Sequence, residues 1–100
     1  MQKETQLIKQ ILDYCRYRNL LFYRTQAGAV KTDRGGFVKF GEKGVSDITG
    51  CLPNGKYVAC EVKVGKNKMQ PSQKDFEQRV LKNGGQYWLV YSLDEFIAKL

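Results

Sequence analysis

The chain has 100 residues, of which 42% are hydrophobic, 12% aromatic and 27% charged. This composition fits one globular domain over residues 1–100 with one modest core, and it argues against disorder, collagen and coiled coil. Lys and Arg number 17 against 10 Asp and Glu, a formal charge of +7. Such a charge favours a polyanionic partner, nucleic acid before an acidic membrane surface.

Several classes of protein are excluded by residues that the chain lacks. It contains no histidine, so Ser-His-Asp and Cys-His catalysis and His-based zinc sites are ruled out. No apolar run approaches the roughly 18 residues of a membrane span, and the polar N-terminus is not a secretory signal. We therefore expect a cytoplasmic protein without a membrane partner or a small-molecule cofactor.

The cysteines are few and irregularly spaced. The chain has 3 of them, Cys15, Cys51 and Cys60, with no C-x-x-C spacing. An odd number argues against a disulfide framework, and the spacing argues against structural zinc. We expect buried, reduced thiols.

The first half of the chain predicts a helix, a strand and a basic loop. Apolar residues recur at helical spacing from Glu4 to about Arg18, and residues 20–25 form an aromatic-rich strand. Residues 27–43 contain 4 glycines and an excess of lysine and arginine. We interpret this segment as a basic loop, with residues 37–40 as a candidate short strand.

Residues 47–52 and 56–64 predict the two arms of a hairpin, and the turn between them decides the register. An Asn-Gly two-residue turn would place Asp47 opposite Val62. A three-residue loop over residues 53–55, with Gly55 in the left-handed position, places Asp47 opposite Glu61. The second loop fits the local residues better, so both carboxylates are predicted on one face of the hairpin with Lys63 one step along it.

The last third of the chain predicts helix, strand and helix. Ser72, with Asp75 as capping partner, opens a helix that runs to about Asn83, followed by a strand over residues 86–91 and a short C-terminal helix from Ser92. The predicted order is α-β-β-β-α-β-α. It describes an α/β protein with a small central mixed sheet flanked by helices.

Two carboxylates this close suit a hard divalent cation. Mg²⁺ takes oxygen ligands and keeps several waters, so one or two carboxylates and a substrate phosphate complete its shell. A lysine beside such an ion can act on the water that attacks a phosphodiester. The alternative is a solvated strand face with an ordinary salt bridge, which contributes little to stability.

The motif Gly44-Val45-Ser46-Asp47, then 13 residues, then Glu61-Val62-Lys63 resembles the core of the PD-(D/E)XK nucleases. More narrowly, it is similar to the VRR-NUC branch, whose stand-alone members occur in phages and bacteria. Ser46 stands where the superfamily has proline. The resemblance covers nearly the whole chain and implies a restriction-endonuclease-like fold with Mg²⁺- or Mn²⁺-dependent DNA cleavage.

The resemblance also implies roles for individual residues. Asp47, Glu61 and the Val62 carbonyl would bind the metal ion, and Lys63 would act on the water. Gln73 would position water, lysine or phosphate, although a solvated helix end explains it equally simply. Glu4 would assist the metal, or it is only a first-turn acid favoured by the helix dipole.

Other basic residues are candidates for phosphate contacts on either side of this site. The candidate DNA-binding residues are Arg24, Lys31, Arg34, Lys39, Lys43, Lys66, Lys68 and Lys74.

Stand-alone members of this branch resemble resolvases of four-way (Holliday) junctions and work as homodimers, so the resemblance implies a metal-dependent, structure-selective DNA endonuclease that resolves such junctions as a homodimer. Two symmetric cuts need two active sites, and Tyr14, Tyr17, Phe22 and Tyr23 exceed what one small core readily buries. A flap or nicking nuclease and a catalytically inactive DNA-binding module are the alternatives.

Overall fold

A four-stranded mixed sheet with helices on both faces forms the centre of the computed structural model, which describes residues 2–100. The helices in that range are α1 (Glu4–Tyr17), α2 (Pro71–Lys82) and α3 (Leu93–Lys99). The strands are β1 (Leu21–Arg24), β2 (Gly28–Lys31), β3 (Phe37–Phe40), β4 (Ile48–Cys51), β5 (Tyr57–Val62) and β6 (Gln86–Val90).

The main sheet has the order β1-β4-β5-β6. Its first two pairs are antiparallel and β5 runs parallel to β6, so α2 serves as the crossover that a parallel pair requires. The helices and the main-sheet strands therefore follow the predicted order α-β-β-β-α-β-α. The protein is a small α/β protein with a mixed sheet and three helices in the described range.

The two faces of the sheet bury different side chains because residues alternate along each strand. Val58, Cys60 and Val62 of β5 pack against α1 and α3 in the larger core cluster. Ala59 packs against Phe76 and other residues of α2 on the opposite face. By the same alternation, Glu61 and Lys63 belong to the face that α2 covers.

The predicted register of the central hairpin is confirmed. Cys51 pairs with Tyr57 and Ile48 with Cys60, and the Leu52 N–H donates to the Lys56 carbonyl at 2.9 Å. Gly55 has φ +86°, the left-handed position that the three-residue loop needs.

The basic loop over residues 27–43 is more ordered than expected. β2 and β3 pair to form a separate two-stranded ribbon, residues 28–40, inserted between β1 and β4. Thr32 N–H donates to the Gly36 carbonyl at 2.8 Å, and Gly35 has φ +82°. These values repeat the loop geometry of the central hairpin. The candidate strand over residues 37–40 is confirmed as β3, whereas the expectation of a loop over the rest of the segment is wrong where β2 forms.

Two smaller expectations are also corrected. The second helix begins at Pro71, with Gln70 rather than Ser72 as its N-cap, because proline at the first helical position needs no hydrogen-bonded N–H. Cys15 and Cys60 are buried free thiols, as predicted, but Cys51 is exposed because it lies at the end of β4.

Within residues 2–100, none of the helices has the length and apolarity to cross a membrane.

Candidate active site

Asp47 is held between two neighbouring strands, immediately before β4. The β4–β5 register, continued by one residue, sets it opposite Glu61. Its Oδ2 accepts a hydrogen bond from the Val62 N–H at 2.9 Å, and its carbonyl accepts one from the Thr25 N–H at 2.9 Å. Asp47 and Glu61, called here the carboxylate pair, thus occupy the positions that the hairpin register predicted.

Glu61 is almost completely withdrawn from solvent, with 1% of its surface exposed. Burial, followed by a hydrogen bond to Asp47 and repulsion from its charge, raises the pKa of Glu61 to about 9. One oxygen, Oε2, is buried and has no hydrogen-bond partner in the described chain. Within residues 2–100 no cationic side chain forms an ion pair with this carboxyl.

Lys63 lies next along the same face and is only 8% exposed. Its positive charge opposes the upward shift of the Glu61 pKa. No ion pair involving Lys63 is present among residues 2–100. The alternative of a solvated strand face is therefore wrong for these side chains, because α2 covers this face of the sheet.

Gly44 brings the segment before Asp47 against the N-terminus of α2. It has φ +75°, and a Cβ at this position would collide with the Ser72 backbone. The contact places the first turn of α2 beside the segment that leads to the carboxylate pair. The sequence motif that begins with Gly44 therefore has a packing role in addition to its place in the resemblance.

Gln73 lies in this first turn, but its side chain is engaged with its own helix. Its Oε1 accepts a hydrogen bond from the Gln70 N–H at 2.7 Å, which completes half of a capping box. The structure therefore places Gln73 near the Gly44 segment and gives it a structural partner.

Glu4 lies in the first turn of α1. It accepts a hydrogen bond from Asn67 Nδ2 at 3.1 Å and lines an open cleft of about 400 Å³ together with Val64. Its charge contributes to the raised pKa of Glu61, so it lies within electrostatic reach of the carboxylate pair.

The donor atoms fit a hard divalent cation of the Mg²⁺ type. The unpartnered Glu61 oxygen and the adjacent Asp47 carboxylate are the oxygen ligands that such ions prefer. Within residues 2–100 no group of three or more Asp, Glu and Cys side chains is placed to hold a metal ion. Among the side chains of this pair the protein would therefore supply two carboxylates, and the other positions would need other oxygens, such as those of water or substrate.

All of the predicted DNA-binding residues are exposed. The ion pairs of the described chain involve other cations, Lys9, Arg16 and Arg79. The eight candidate side chains are therefore available to an external anion.

Three of these eight residues belong to the ribbon, whose two faces differ. The pairing of Lys31 with Phe37 and of Ala29 with Lys39 puts both lysines on one face with Phe37, which is 70% exposed. The opposite face is apolar and exposed, and it consists of Gly28, Val30, Val38 and Phe40.

The aromatic argument for a dimer is partly corrected. Phe22 is buried in the protein's own core, with its ring 5.8 Å from that of Trp88, so it offers nothing to a partner. Tyr17 and Tyr23 are exposed, 85% and 55%, and they keep that argument open.

Sequence reasoning missed Tyr87, which was not among the predicted site residues. This residue lies on β6 opposite Ala59, on the face that carries Glu61. Its phenol oxygen is buried without a hydrogen-bond partner in the described chain. Only the parallel pairing of β5 with β6 brings it there, and the sequence carries no local signal for that pairing.

No protein-family model matches this sequence, and no curated protein matches it at a significant level.

Proposed function

We propose that this protein is a metal-dependent, structure-selective DNA endonuclease with a restriction-endonuclease-like fold, and that it resolves four-way junctions. The observation that carries the proposal is the opposition of Asp47 and Glu61 at the β4–β5 hairpin, with Lys63 buried on the same face. Burying the ionisable groups of Glu61 and Lys63 beside the partly buried Asp47 is costly unless they are paired or serve a bound ion.

Asp47, Glu61 and the Val62 carbonyl would hold Mg²⁺ or Mn²⁺. Such an ion, when bound, stabilises negative charge on a phosphate and makes water more acidic. Lys63 orients the attacking water or takes its proton, and its charge offsets the charge that develops at phosphorus. Glu4 and Gln73 act around this set, Glu4 through its charge and Gln73 by fixing the first turn of α2.

The DNA lies across both flanks of the carboxylate pair in this proposal. The ribbon leaves the sheet at Thr25, whose N–H is bonded to Asp47, so its cations are tied to the site through the backbone. Lys66, Lys68 and Lys74 extend from the end of β5 to the first turn of α2. Phosphates bound on both sides would pass over the carboxylates between them.

The homodimer is part of the same proposal. Each chain carries one set of Asp47, Glu61 and Lys63, which can cut one strand at a time. A four-way junction has pseudo-two-fold symmetry, and a C2 dimer presents two sites that match it. Light scattering at micromolar concentration gives the oligomeric state, and a strict monomer that makes paired cuts would contradict the dimer.

The direct test is cleavage of DNA substrates of different shape. Four-way junction, flap and linear duplex, each labelled on one strand at a time, are incubated with protein in Mg²⁺, Mn²⁺ or EDTA, and the cuts are mapped on denaturing gels. We expect paired symmetric cuts in the junction in Mg²⁺ or in Mn²⁺, and no cuts in EDTA. Cuts confined to flaps favour the flap nuclease, and binding without any cut identifies a DNA-binding module.

A further inference from the structure

Two buried side-chain polar atoms lack a hydrogen-bond partner among residues 2–100, Glu61 Oε2 and Tyr87 Oη. Buried polar atoms are nearly always hydrogen-bonded to protein or to ordered water. Both atoms belong to the face of the sheet that α2 covers, and their strands are neighbours. Two exceptions on one face of one strand pair call for a common explanation.

The β5–β6 register makes the two side chains diagonal neighbours. Tyr87 pairs with Ala59, and Glu61 pairs with Leu89. Tyr87 therefore lies on the strand next to that of Glu61, displaced from it by two residues along the strand. Diagonal neighbours are within reach of long or aromatic side chains. The Tyr87 ring is held by an edge contact with Phe76, at 6.5 Å between ring centroids.

We propose that Tyr87 is a positioning residue for Glu61, and that one ordered water bridges the Tyr87 hydroxyl and Glu61 Oε2. A buried water needs at least two polar partners, and these two atoms supply a donor and an acceptor. Burial raises the pKa of Tyr87, so the phenol keeps its proton and can donate to the bridging water.

The bridge would fix the rotamer of Glu61 so that its carboxylate stays beside Asp47. Removing a group that hydrogen-bonds to a metal ligand and orients it typically lowers metal affinity about 10- to 100-fold. The bridge itself depends only on the two side chains. Its use in metal binding rests on the proposed function.

The bridge is tested by a double-mutant cycle in EDTA, without DNA. Tyr87→Phe removes one oxygen and keeps the ring, and Glu61→Met removes the carboxylate at similar length. We expect Tyr87→Phe to lower Tm in the wild-type background and to leave it unchanged or raise it beside Glu61→Met, where the hydroxyl has no partner. Equal shifts in both backgrounds overturn the bridge.

Tyr14→Phe is the matched control, because the Tyr14 hydroxyl bonds Arg18 on the exposed side of α1 at 2.9 Å. It should give the same shift with and without Glu61→Met. If Glu61→Met does not fold, the Tm of Tyr87→Phe alone decides whether the bridge exists. A buried hydroxyl without a bridging water would destabilise the protein, so its removal would raise Tm. A raised or unchanged Tm overturns the bridge in that case.

The positioning role is tested by Mn²⁺ titration of the free protein, followed by calorimetry. We expect Tyr87→Phe to weaken Mn²⁺ binding about 10-fold, with Tyr14→Phe unchanged and cleavage by Tyr87→Phe restored at saturating Mn²⁺. Unchanged affinity, or wild-type protein that binds no Mn²⁺, overturns the role. If the two side chains are coupled and the protein binds Mn²⁺ but cuts no DNA, only the proposed nuclease function is refuted, and the bridge and the positioning role stand.

Discussion

The β4–β5 site and the β2–β3 ribbon depart from ordinary side-chain placement in opposite directions. At the site, Glu61 and Lys63 are buried charged residues, whereas the ribbon exposes Val30, Val38 and Phe40 on one face. Buried charge is costly, and exposed apolar patches mark surfaces that bind something.

The two regions also differ in how many other elements of the structure contact them. The site is held by β1, β5 and the N-terminus of α2 through Thr25, Val62 and Gly44. The strands of the ribbon pair with each other and make no extensive contact with another helix or strand of the described range, and a two-stranded ribbon alone is marginally stable in water. Substitutions at the site should therefore affect chemistry and stability, whereas those in the ribbon should affect binding.

The largest expected effect is on cleavage. Asp47→Asn, Glu61→Gln and Lys63→Met should each lower the junction-cleavage rate at least about 100-fold, because Asp47 and Glu61 would hold the metal ion and Lys63 would act on the water and offset developing charge. Single-turnover rates in saturating Mn²⁺ measure this, with Asp94→Asn on the exposed side of α3 as control. A wild-type rate in any one of the three variants would remove that residue from the proposed chemistry.

The next effect is on stability and separates the site from the ribbon. Gly44→Ala should cost about 2–4 kcal/mol, since it places a Cβ against the Ser72 backbone at a positive φ. Gly36→Ala in the ribbon is the matched change, with only an ordinary 3.5 Å contact to Thr32 Oγ1. Denaturant unfolding compares them, and equal losses would contradict the contrast between the two regions.

The third effect concerns pH and the buried carboxyl. Because the folded pKa of Glu61 is about 9 against 4.5 ordinarily, its proton stabilises the fold fully below pH 4.5 and this contribution is lost as pH rises through 9. The Glu61→Gln side chain has no such proton to lose. In EDTA at pH 7, the free energy of unfolding of this variant should therefore exceed that of wild type by ~1–3 kcal/mol.

Urea unfolding at pH 5, 7 and 9 measures this difference, with Asp94→Asn again as control. The advantage of Glu61→Gln should be smallest at pH 5 and largest at pH 9. A difference independent of pH would mean that the carboxyl is not strongly perturbed.

The smallest effect is electrostatic and belongs to the ribbon. Lys39→Gln should weaken junction binding a few-fold and lower the slope of log affinity against log salt by about 1, because one phosphate contact is lost. Lys99→Gln at the end of α3 keeps the charge change but moves it to another element. If both variants change the slope equally, Lys39 makes no specific contact with a DNA phosphate, and only the net charge of the protein matters.

The local elements were predictable because their signals lie within a few residues. The apolar period of α1, the glycines after α2 and the Ser92–Glu95 cap all act over one or two turns. Gly55 even decided which residue faces Asp47, since loop length sets hairpin register. Only the second strand of the ribbon was anticipated, and its pairing with β2 was missed although Asp33-Arg34-Gly35 repeats the same loop, because the short strands lack a clear alternation of polar and apolar residues.

The sequence by itself determined the helices, the central hairpin and the opposition of Asp47 to Glu61, because helix periodicity and turn chemistry are local. Only the tertiary structure decided that the Glu61–Lys63 face is buried, that Gly44 must touch α2 and that Tyr87 lies diagonal to Glu61. These facts depend on the parallel β5–β6 pairing and on α2 packing across it. Those contacts join residues more than 10 positions apart, and no local pattern encodes them.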